Sequence, residues 1–190
     1  LTDVTGVQTC ALPILASLQF ERQQNHDRTV VCREFPSLAC QMPFIGRKII
    51  PMKYIFGRGD QSRYIYEENF LTQEQGQEII DSTKIINRAF GYEMNSVEFI
   101  LDTQGNPWAI DFNNPVPDAR KNLLGDIFYD DYVHAMVQRV CEVAREGASR
   151  FFVPDINRYS SLSRLQVSRK EKFKIALKIA DEYYEAIQNG

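Results

Sequence analysis

The chain has 190 residues, room for one domain with a core of ordinary size. Its 22 basic and 25 acidic residues leave a formal charge of -3, which gives no reason to expect nucleic acid or an anionic membrane surface as partner. No apolar run approaches the length of a bilayer span. Cys10, Cys32, Cys40 and Cys141 show no Cys-x-x-Cys spacing, and His26 and His134 lie far apart. A zinc site or disulfide framework is therefore not expected, and isolated buried thiols in a reducing cytosol are.

The segment Val4 to Ile14 resembles the translation of a common sequencing adapter and is set aside, like an expression scar. Natural sequence is then expected from Leu15, with an unknown length missing upstream. Leu15 to Gln24 is weakly helical, and Asn25 to Arg28 is a polar break containing His26. Thr29 to Phe35 is β-branched and apolar enough for a strand, ended by Pro36. Leu38 to Phe44 and Lys48 to Tyr54 read as two strands of a hairpin turning at Ile45-Gly-Arg47, with Pro43 and Pro51 marking edge-like or bulged positions.

Phe56 to Leu71, bearing glycine and charge, reads as a loop that closes over substrate. Thr72-Gln-Glu-Gln75 forms a capping box, and Ile79, Thr83, Ile86 and Phe90 recur at helical spacing up to Gly91, which can end the helix. Beyond Pro115 and Pro117, a helix is predicted over Asp126 to Glu146, with Tyr129, Val133, Met136, Val140 and Val143 on its packed face and His134 solvated. Ser149 to Val167 reads as irregular. Ser168-Arg-Lys-Glu171 opens a last helix to Ile187, packed through Phe173, Leu177, Ala180 and Tyr184.

The most informative stretch lies between the first two helices. Ser96 to Asp102 and Trp108 to Asn113 are apolar-patterned runs flanking Thr103-Gln-Gly-Asn-Pro107, a β-hairpin signature. With Gln104-Gly105 as loop residues, Thr103 pairs with Asn106, Glu98 falls across from Asp111 and Ser96 across from Asn113. Two carboxylates about 5 Å apart repel by roughly 3 kcal/mol at an effective dielectric of 20. Either one keeps its proton or a cation sits between them. Two acids and an amide oxygen suit magnesium. The plain alternative is a solvated strand face whose acids touch nothing.

Acid, twelve residues, acid, any residue, Asn, then Pro resembles the metal-binding hairpin of the ATP-grasp ligases, including the spacing in D-alanine:D-alanine ligase. Gly91-Tyr-Glu-Met-Asn-Ser-Val-Glu-Phe99 ahead of Ile110-Asp-Phe-Asn-Asn-Pro115 is similar to the variety related to glutathione synthetase and the ribosomal-protein glutamate ligases. The resemblance covers about Thr29 to Ala144 and is specific only in the hairpin. Asp111 stands where many members have Glu, and both are hard oxygen ligands.

That resemblance implies that Glu98, Asp111 and Asn113 hold the magnesium ions of ATP, with manganese as a possible substitute. It makes Thr29 to Phe35 the hinge strand, with Arg33, Glu34 and Phe35 at the adenine. Lys53 and Arg63 become the cations nearest the phosphates, with Arg63-Tyr64 matching the element that reaches them, and Arg120 a contact to the carboxylate substrate. Salt-bridge partners on the surface are the plain alternative for these cations.

Strands followed by helices in this order predict an α+β fold, an antiparallel sheet covered by helices. By resemblance it is the C-terminal subdomain of an ATP-grasp fold with its N-terminal portion missing. Residues 1–14 are the artefact, 15–148 the partial ATP-grasp domain, and 149–190 a linker with a C-terminal helix. The implied parent is a cytoplasmic, ADP-forming ligase joining a small-molecule or peptide carboxylate to an amine through an acyl-phosphate, and the chain alone is expected to be inactive. A non-catalytic nucleotide-binding or regulatory domain, and an interaction module whose acids bind calcium or nothing, are the rival expectations.

Overall fold

The computed structural model describes residues 39–45, 48–55, 63–65, 67–114, 117–146 and 153–188. The expected hinge strand, with Arg33, Glu34 and Phe35, lies outside the described residues, as do the segment set aside at the start and the Leu15 to Gln24 helix. In chain order the elements are β1 (Ala39–Ile45), β2 (Lys48–Ile49), β3 (Met52–Ile55), β4 (Arg63–Ile65), α1 (Gln73–Phe90), β5 (Met94–Leu101), β6 (Pro107–Asn114), α2 (Lys121–Glu146), α3 (Ile156–Ser163) and α4 (Arg169–Gln188). Mixed α+β architecture follows directly.

The strands form one antiparallel sheet in the order β4-β3-β1-β5-β6, with β2 paired to the end of β1. The hairpin between β1 and β2 is present, Ile45 pairing with Lys48. The run Lys48 to Tyr54 is not one strand. It breaks at Ile50-Pro51 into β2 and β3, because proline has no N–H to give to a ladder. The expected closing loop also contains a strand, β4, which pairs with β3 at the edge of the sheet. Three residues are too few to show a period.

Side chains alternate across a strand, and β5 sorts its neighbours accordingly. Val97 and Phe99 pack with Ile79 and Ile86 of α1. Met94, of the opposite parity, joins Ile45, Ile50 and Met52 against Leu124, Phe128, Tyr132 and Ala135 of α2. The sheet is thus covered by α1 on one face and by α2 on the other.

Helix α1 is built as its sequence dictates. The Thr72 hydroxyl accepts from the Gln75 N–H at 3.2 Å and the Gln75 side chain accepts from the Thr72 N–H at 2.9 Å. The helix stops at Gly91, whose φ of 68° is left-handed. Any Cβ there would come within 3.0 Å of the Pro154 nitrogen. Ile79, Thr83 and Ile86 are buried.

Helix α2 begins its continuous run at Asp126, as predicted, because Gly125 breaks it with φ 72° and ψ 171°. Its packed face is the predicted one only in part: Tyr129 and Met136 pack against the core beneath the sheet, and Val143 is half-buried. Phe128, Tyr132, Ala135 and Arg139 are buried, while Val133 and Val140 are exposed. The helix is rotated because Arg139 is neutralised by Glu93, at 2.6 Å, and by Glu142, at 2.9 Å, so a charged residue can lie inward. Cys141, expected buried, is exposed on the same helix, and His134 is exposed as predicted.

The stretch read as irregular contains α3, which buries Tyr159 and Leu162. These pack with Ile85 and Ala89 of α1 and with Ala176, Ile179 and Ala180 of α4, a third core off the sheet. Ser168 caps α4 by accepting from the Glu171 N–H at 3.2 Å. No helix among the described residues is long and apolar enough to cross a membrane.

Candidate metal site on the hairpin

The tip of the β5–β6 hairpin is wider than its sequence suggests. Leu101 pairs with Pro107, so Thr103 and Asn106 are not a pair and the connection is longer than two residues. Asp102 holds it together. Its carboxylate accepts from the Gln104 N–H at 2.9 Å, the Asn106 N–H at 2.8 Å, the Asn106 amide at 2.9 Å and the Trp108 indole at 3.1 Å. Burial pushes this carboxyl up, but the hydrogen bonds from Asn106, Trp108 and Gln104 outweigh it and hold it below the usual range.

Continued without interruption, the pairing at the tip would bring Ile110 across from Glu98. A β-bulge changes that. Phe99 pairs with Ala109 but Glu98 pairs with Asp111, so Ile110 is the extra residue. Sequence reasoning therefore reaches the right opposition from the wrong turn. A second bulge places Asn114, not Asn113, across from Ser96. Asn113 sits within β6, and its side chain lies outside the described residues.

The second bulge is anchored from below. The Asn95 side-chain amide donates to the Asn87 side chain of α1 at 2.9 Å and to the Phe112 carbonyl of β6 at 3.0 Å. Both asparagines are buried. Asn87 in turn donates to the Thr83 carbonyl at 2.7 Å. The irregular part of β6 is tied through β5 to the last turn of α1.

Glu98 lies on the α2 face of the sheet, half-buried, with Asp111 exposed beside it. Burial pushes the Glu98 carboxyl up, and the Asp111 charge adds to the shift. A half-buried carboxylate whose charged form is disfavoured by burial and by a neighbouring carboxylate is chemically suited to a hard divalent cation. Among the described residues no three His, Cys, Asp or Glu side chains converge as a metal cluster.

Tyr64 of β4 shares this neighbourhood. Its phenol is pushed up by burial first, and then by Glu98, Tyr54 and Asp118. Tyr54 and Tyr64 stand with ring centroids 5.1 Å apart. Tyr54 and Asp118 were not singled out by the sequence, because they come from distant segments and carry no motif.

The remaining predicted site residues are dispersed or engaged. Lys53 is paired with Glu67 at 2.6 Å, the plain alternative for this cation. Arg63 lies in β4, its side chain outside the described residues. Arg120 grips Asp118 with two nitrogens, Nε at 2.9 Å and Nη2 at 2.7 Å, the forked geometry in which it would take a substrate carboxylate. The side-chain hydrogen bonds from Arg120 outweigh the opposing effect of burial and, with its backbone N–H and its charge, hold the Asp118 carboxyl below the usual range. Set against protein-family models, curated proteins and solved structures, the chain matches none of them.

Proposed function

We propose that the chain is the C-terminal subdomain of an ATP-grasp ligase, binding magnesium-ATP through Glu98, Asp111 and Asn113. The single observation behind it is the bulge-set opposition of Glu98 and Asp111, with the Glu98 carboxyl pushed up by burial and by its neighbour. A fold that inserts a residue into β6 and thereby faces two acids accepts a cost that a cation would remove.

Glu98, Asp111 and Asn113 would hold magnesium, or manganese in its place, which would supply positive charge to offset that developing as a carboxylate attacks the γ-phosphorus of ATP and ADP departs. An amine then displaces phosphate from the acyl-phosphate to form the amide. The chain's own residues position the reactants. Arg33, Glu34 and Phe35 would hold the adenine, Lys53 and Arg63 the phosphates, and Arg120 the small-molecule or peptide carboxylate. For Lys53 and Arg120 this means exchanging Glu67 and Asp118 for ligand oxygens. Such a ligase would work in the cytoplasm, where ATP is supplied.

The test is metal binding by the chain, followed by electron paramagnetic resonance of manganese with and without ATP. Wild-type protein is expected to bind manganese, and Glu98→Gln and Asp111→Asn are each expected to weaken it by about tenfold, the usual scale for a lost interaction of roughly 1.4 kcal/mol. Binding that is absent, or indifferent to both substitutions, would overturn the proposal.

A further inference from the structure

We draw no further inference here: the strongest candidate, the cavity of about 790 Å³ between α1, the first turn of α4 and the tip of the β5–β6 hairpin, lined by Glu74, Glu78 and Asp81 of α1 and by Arg169 and Lys170 of α4, carries nothing because an acidic row beside a helix start does not name an occupant and nothing in the structure shows what fills it.

Discussion

Glu98 and Asp111 face each other only because Ile110 is inserted as an extra residue in β6. The sheet thereby holds a like-charge pair that an uninterrupted ladder would have avoided.

Glu98→Gln should therefore stabilise the metal-free protein at neutral pH. A carboxyl whose folded pKa is raised favours the folded state below its unfolded value and loses that contribution as pH rises through the folded value. The advantage of the glutamine is thus expected at pH 7 and should vanish on acidification toward pH ~4. Opposed like charges are worth about 0.2 to 1 kcal/mol, a rise of at most about 4 °C in Tm. Calorimetric scans at both pH values check it, and millimolar magnesium should reverse the order of the two proteins.

Asp102 predicts the opposite sign. Burial raises its carboxyl, but the hydrogen bonds from Asn106, Trp108 and Gln104 win and lower it, so its contribution is present above the unfolded value and lost as pH falls through the folded one. Asp102→Ala should cost about 2 to 3 kcal/mol at pH 7, and the gap to wild type should narrow below pH ~4. Urea unfolding at a series of pH values measures both.

Asn95 offers a double-mutant test. Asn95→Leu removes the donor to the buried Asn87 side chain and to the partly buried Phe112 carbonyl, and should cost about 2 to 4 kcal/mol. Asn87→Leu should cost a similar amount, and the pair together clearly less than the sum, because the two share one network. Additive losses by denaturant unfolding would show that the asparagines act separately.

The Arg139 and Glu93 pair is nearly enclosed, with side chains 10 and 14% exposed. Arg139→Met takes the guanidinium from Glu93 and should cost about 3 to 5 kcal/mol, whereas Arg139→Met with Glu93→Leu should recover most of the loss. Thermal unfolding of wild type and the two variants distinguishes a paired charge from a packed stem.

The same pair explains why the predicted face of α2 holds only in part, through Tyr129 and Met136. A hydrophobic stripe predicts the inward face when polar residues stay out, and here the apolar Val133, Val137 and Val140 lie outward while Arg139 lies inward, its charge met by a glutamate from a distant turn. Helix α1 was legible because its determinants are local: the Thr72 box, the spacing of Ile79, Thr83 and Ile86, and Gly91. The opposition of Glu98 and Asp111 was legible in outcome only. A longer turn built on Asp102 and a bulge at Ile110 offset each other, and neither leaves a mark in residue spacing. Strand β4 and helix α3 are short, and tertiary partners settle them.

Helix α1 belongs to two interiors at once. Ile79 and Ile86 meet the sheet, while Ile85 and Ala89 meet α3 and α4, so the same rod is a shared wall. The C-terminal helices cannot swing away without wetting one flank of that wall. Melting of the tail and loosening of the hairpin beneath it are for this reason expected to be one cooperative event, with the carboxylates on the far face of the sheet held steady by residues they never touch.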